Sequence, residues 1–142
     1  MVDNNLAAPC GIYCGACRQY LVLKNNQLEQ RGFKRGCEGC RIRNKNCTFI
    51  RRDCPFLKNN KVEYCYECDK FPCQNLRKLD DIYQNRYSVN MIGNLEQIKE
   101  NGVEVWLQEQ IVLYTCPRCG GEICIHDEEC YDCGIKINPN KI

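Results

Sequence analysis

Long apolar runs are missing from this sequence: nothing in it approaches the roughly 18–20 residues that cross a bilayer, so no membrane span is expected. The opening MVDNNLAAPCGIYCG has neither a basic n-region nor an apolar h-region, which argues against an export signal and hence against a secreted disulfide scaffold. Internal repeats and low-complexity linkers are also absent. Histidine occurs once, and neither an HExxH pair nor a phosphate-binding glycine loop is present, so hydrolytic and transferase chemistry find no constellation to rest on. Aliphatic core formers are sparse, and much of the nominal hydrophobic fraction is cysteine and tyrosine. The formal net charge of +2 says nothing about partners.

Cysteine is what the sequence has in abundance, with fifteen in 142 residues. The number is odd, and many stand two residues apart, as in Cys116-Pro-Arg-Cys119. A CxxC pair places both sulfurs on one tight turn, ready to grip a single ion. A chain of this size with a modest apolar core needs a further source of folding free energy. Structural zinc supplies roughly 10–16 kcal/mol of apparent binding energy in small modules. The cysteines are therefore read as metal ligands in a reducing cytoplasm, holding two to four Zn2+ ions.

The expected fold is a small metal-stabilised α+β chain in three parts. Residues 1–73 form a cysteine-rich zinc-knuckle block, 74–113 a cysteine-free segment of short helices, and 114–142 a zinc ribbon. Residues 18–30 have helix-compatible composition, with Leu21, Val22 and Leu28 available to one face. Leu76, Leu79 and Tyr83 recur at i, i+3 and i+7, the spacing of an amphipathic helix, with Pro72 placed near its first turn. A second helix is expected over 90–101, stopped by Gly102, and a third over 103–110 that sets Trp106 against the core.

The clearest constellation is Cys116, Cys119, Cys130 and Cys133, spaced x2, x10 and x2. Each pair is followed by glycine, in CPRCGG and CYDCG, which suits two knuckles clamping one tetrahedral ion. Strands are expected over 122–126 and 135–137. This resembles the zinc ribbon, a closed and therefore structural site. Cys124 and His126 are left over here. His126 is read as a packed side chain, although fifteen cysteines and one histidine would divide into four tetrahedral sites.

In the amino-terminal block, Cys14, Cys17, Cys37 and Cys40 have the spacing of one four-cysteine site. Cys47, Cys54, Cys65 and Cys68 offer a second, and Cys10 and Cys73 stay unassigned. Interleaved ligands would use the same residues differently. The opening C-x3-C-x2-C also matches the cluster loop of radical S-adenosylmethionine enzymes, but no strand–helix repeat follows to build their barrel. A plainer iron–sulfur cluster on Cys10, Cys14, Cys17 and a distant cysteine such as Cys73 is the alternative, because all-thiolate ligands do not distinguish iron from zinc.

Between residues 31 and 52 lie eight cations (Arg31, Lys34, Arg35, Arg41, Arg43, Lys45, Arg51 and Arg52) and one acid, Glu38. With Phe33 and Phe49 available to stack on bases, the stretch reads as a phosphate footprint. The competing explanation is charge balance, since a zinc held by four thiolates carries net negative charge.

CGIYCGAC followed by a tyrosine, then CEGC, then YCYECDKFPC, resembles a cysteine-rich prokaryotic family of unknown function. NLEQIKENGVEVWLQEQ and the ribbon CPRCGGEICIHDEECYDCG resemble its longer members, so the likeness spans about residues 7–135. It implies a metal-binding cytoplasmic protein and supplies no catalytic residue. Two functions are weighed on this basis: a zinc-stabilised binding module for protein or nucleic acid, and an iron–sulfur or thiol-based redox or metal-handling protein.

Overall fold

The structure is a computed structural model that describes residues 3–34, 36–39, 41, 54–59 and 61–141. Cys40 and Cys47, and with them Arg35, Arg43, Lys45, Phe49, Arg51 and Arg52 of the basic stretch, lie outside the described residues. Five helices and one two-stranded ribbon are described: α1 (Arg18–Lys24), α2 (Pro55–Lys58), α3 (Gln74–Tyr87), α4 (Met91–Asn101), α5 (Val103–Leu113), β1 (Ile123–Cys124) and β2 (Glu129–Cys130).

The cysteine-free segment is three helices, as its periodicity predicts. Leu76 and Leu79 of α3 are buried, as are Met91, Leu95 and Ile98 of α4 and Trp106 and Leu107 of α5. Gly102, at φ +91°, ends α4 and starts α5 in one residue. The third helix runs to Leu113, a turn beyond its expected end. Pro72 is not in the first turn of α3: the helix begins at Gln74 with Cys73 as its N-cap, and Pro72 precedes both.

Against these helices lies the segment carrying CGIYCGAC. A Cβ on Gly11 would meet the Met91 carbonyl oxygen at 2.5 Å, so only glycine lets the chain come this close to α4. Asn94 Nδ2 donates to the Gly11 carbonyl at 2.9 Å and fixes the approach. Tyr13 then sits edge-on to Trp106 and stacked on Tyr114, with ring centroids 6.3 and 5.9 Å away. One core therefore takes residues from all three parts of the chain, from Ala7 through Trp106 to Cys130.

Two local expectations are corrected. The helix expected over 18–30 ends at Lys24, because Asn26 adopts a left-handed φ of +53° and turns follow. Asparagine tolerates that region better than other side-chain-bearing residues. The second ribbon strand is Glu129–Cys130, paired antiparallel with β1, while 135–137 contributes a single bridge, Lys136 to Glu129.

Candidate metal centres

After α5 the chain turns at Cys116 into two knuckles built alike. In the first, the Gly120 N–H donates to the Cys116 carbonyl at 2.9 Å; in the second, the Gly134 N–H donates to the Cys130 carbonyl at 3.0 Å. Both glycines have positive φ, +78° and +81°, which the tight reversal requires. The turns aim backbone N–H groups at sulfur: Gly121 to Cys119 Sγ at 3.3 Å, and Asp132 and Cys133 to Cys130 Sγ at 3.4 and 3.5 Å. Cys116, Cys119, Cys130 and Cys133 thereby bring four sulfurs within 4.8 Å of one another, close enough to hold one metal ion. Cys116 and Cys130 are buried, whereas Cys119 and Cys133 face solvent.

Burial pushes the Cys116 thiol up, but N–H groups of Cys119 and Arg118 and the neighbouring sulfurs outweigh it and hold it at about 7. At Cys119 the Gly121 N–H pulls the other way, yet burial and the adjoining sulfurs raise that thiol to about 12. Four thiols packed this closely resist ionising together; a cation between them removes the repulsion.

His126 is not among these ligands. Its Nδ1 accepts the Arg18 N–H at 3.2 Å and its Nε2 lies 2.9 Å from the Tyr83 hydroxyl, so both ring nitrogens have protein partners. Division of fifteen cysteines and one histidine into four sites therefore fails at the histidine. Cys124 is fully buried with Leu21, Val22 and Tyr131, away from the ribbon quartet, and burial raises its thiol.

In the amino-terminal block, Cys14 is buried in a short 3-10 turn and Cys17 is the N-cap of α1. The Cys37 N–H donates to the Gln19 carbonyl at 3.0 Å, which sets Cys37 beside the first turn of α1. Gly39 N–H points at Cys37 Sγ at 3.4 Å, the same N–H-to-sulfur contact made at both ribbon knuckles. Cys54, Cys65, Cys68 and Cys73 line one cavity, while Cys47 lies outside the described residues. Burial first, then the sulfurs of Cys10, Cys54, Cys73 and Cys68, push the Cys65 thiol up. Thus Cys10 and Cys73, unassigned by sequence order, both belong to this neighbourhood. None of the thirteen described cysteines is in a disulfide.

Of the three described cations in the basic stretch, two are engaged within the protein. Arg31 pairs with Glu129 at 2.8 Å and lies 3.6 Å over the Tyr131 ring. Arg41 donates to the carbonyls of Ala7 at 2.7 Å and Glu63 at 2.9 Å, and covers Tyr64. Phe33 packs beside Leu21 and Val22 instead of standing free to stack on a base. Among the described residues no helix is long and apolar enough to cross a membrane.

Sequence reasoning missed Asp80. This buried carboxylate accepts the Met91 N–H at 2.7 Å and the Ile92 N–H at 3.3 Å, serving the first turn of α4 from α3. The signal was its position four residues after Leu76, on the apolar face.

Neither the curated proteins nor the solved structures contain a match to this chain. A family model described as a protein of unknown function, DUF3795, matches residues 6–78, from the first buried loop into α3, and leaves the later helices and the ribbon outside its span. Covering half of the sequence and all ten cysteines of the amino-terminal block, this match makes the chain a member of the DUF3795 family.

Proposed function

We propose that this chain is a zinc-binding cytoplasmic protein that acts as a binding module for a macromolecular partner, with its metal serving the fold and not a reaction. The observation that carries this reading is the ribbon quartet. Four sulfurs within 4.8 Å complete a tetrahedral shell and leave no position for a substrate or an activated water. The two knuckles, with matching hydrogen bonds and glycines, support zinc, an ion that takes four thiolates in such turns. A thiol-based redox role is less well supported: Cys65 and Cys124 are buried with raised thiol pKa values, the opposite of what a nucleophilic cysteine needs.

A protein partner is favoured over nucleic acid. Arg31 and Arg41 are committed to internal contacts and Phe33 is packed, so phosphate binding would fall to the other six cations, Lys34, Arg35, Arg43, Lys45, Arg51 and Arg52. The deciding experiment is elemental analysis of purified chain prepared without oxygen. Zinc at two or more ions per chain, falling by one in Cys116→Ser, is the expected result. Iron as the sole bound metal would end the zinc reading.

A further inference from the structure

We propose that Cys54, Cys65, Cys68 and Cys73 are the ligands of a second metal centre, which takes one soft divalent cation of the zinc class. Its place is a cavity of about 30 Å³ between α2, the Cys65–Glu67 turn and the start of α3. All four cysteines line that cavity, and the rest of its wall is Leu57, Val62, Phe71 and Leu76. Among the described residues, no side-chain oxygen or nitrogen lines it. Hard cations such as calcium or magnesium need oxygen ligands, so sulfur in an apolar shell selects a soft ion. The cavity is small and apolar, with room for a single ion.

Each ligand is held by backbone structure of its own. Cys54 precedes Pro55, the first residue of α2, and Cys73 is the N-cap of α3; neither side chain caps its helix. Cys65 and Cys68 close a turn in which the Cys68 N–H donates to the Cys65 carbonyl at 3.2 Å, and the Phe71 N–H then donates to the Cys68 carbonyl at 3.0 Å. The positive N-terminal end of fourteen-residue α3 lies where a thiolate centre puts its negative charge. Cys10 borders the group, because the Pro9 carbonyl accepts the Cys65 N–H at 2.9 Å, but it does not line the cavity. Unlike the ribbon quartet, no three of these sulfurs lie within 4.8 Å of one another. They surround a space, and the cation draws them in as four thiol protons pass to solvent.

This assignment is independent of the ribbon and differs from sequence order, which would use Cys47 in place of Cys73. The test uses the full chain as purified. Metal per chain is measured in Cys54→Ser, Cys73→Ser, Cys10→Ser and Cys47→Ser, with Cys116→Ser reporting the ribbon ion separately. Loss of one ion in the Cys54 and Cys73 variants, with full metal in the Cys10 and Cys47 variants, is the expected pattern. Retention in Cys73→Ser, or loss in Cys47→Ser or Cys10→Ser, overturns the ligand set. Because a serine variant may unfold, the unmodified chain is also alkylated with iodoacetamide before and after chelation. Cys54, Cys65, Cys68 and Cys73 should gain reactivity together when the metal leaves. Equal labelling of the four before and after chelation, or acid-labile sulfide accompanying iron, refutes the single-ion centre.

Discussion

At the scale of one residue, His126 shows how a side chain suited to metal binding is instead used as a crosslink. It joins the start of α1, through the Arg18 N–H, to α3 through Tyr83, and packs edge-on against Tyr83 and Tyr87. Burial first, and then the Arg18 guanidinium, lower its pKa to about 4, with Asp127 opposing. The sign follows from proton counting: between pH 6.5 and 4 the unfolded chain binds a proton that the folded chain refuses, so acid favours unfolding. The contribution lost between pH 7 and pH 5 is about 2 kcal/mol. Metal release also responds to pH, so the informative comparison is with His126→Asn, which keeps an acceptor and a donor but does not titrate. Denaturant unfolding at the two pH values should show the asparagine variant losing about 2 kcal/mol less than the parent chain. Equal losses would mean that His126 protonates freely in the folded state.

Among the elements, legibility followed how local the cause was. The α3–α5 segment could be read from spacing because each helix buries its own apolar stripe, and Gly102 marks the boundary in sequence. The ribbon quartet was legible because each knuckle is specified by four contiguous residues and a glycine. Strand placement was less so: β1 pairs with Glu129–Cys130 because the second knuckle brings Cys130 back opposite Ile123, a consequence of turn geometry that hydrophobic alternation does not report. The grouping of the amino-terminal cysteines was least legible, since Cys73 comes to line one cavity with Cys54, Cys65 and Cys68 only after α3 packs on the core. The ribbon is also less separable than its spacing suggests. Lys24–Glu122, Arg18–Asp127 and Arg31–Glu129 ion pairs tie it to α1 and the turns that follow, and the Ile125 N–H donates to the Ala16 carbonyl at 2.9 Å. Such half-exposed pairs contribute at most about 1 kcal/mol each, but they share one surface with His126. Cys130→Ser should therefore cost protection from hydrogen exchange in β1, β2 and α1 together, while α4 keeps its slow amides. Loss confined to 116–134 would show that the ribbon opens alone.

For the whole molecule, folding rests on a core threaded through all three parts, and the proposed ions would fix the loops between them. Charge is distributed accordingly, with acidic ribbon residues answering cations of the first block. That leaves a specific expectation for nucleic acid. If the basic stretch contacts phosphate, Arg43, Arg51 and Arg52 are three of the six cations left to supply the contact. Their joint change to glutamine would then flatten the log–log salt dependence of duplex binding by about 3 units. Arg41→Gln would instead lower stability, because it releases the Ala7 and Glu63 carbonyls. An absence of binding at low salt leaves the protein-partner reading. The ribbon has one further property, set by the unequal exposure of its sulfurs. Cys116 and Cys130 face the core, and Cys119 and Cys133 face water. All four share in how tightly an ion is held, but an incoming chelator can approach only across the outer two. Equilibrium and kinetics are thus divided between different cysteines: how long an ion resides there is governed at the outer edge, and a competing ligand too bulky to reach Cys119 and Cys133 would find the ion inert however strongly it bound it.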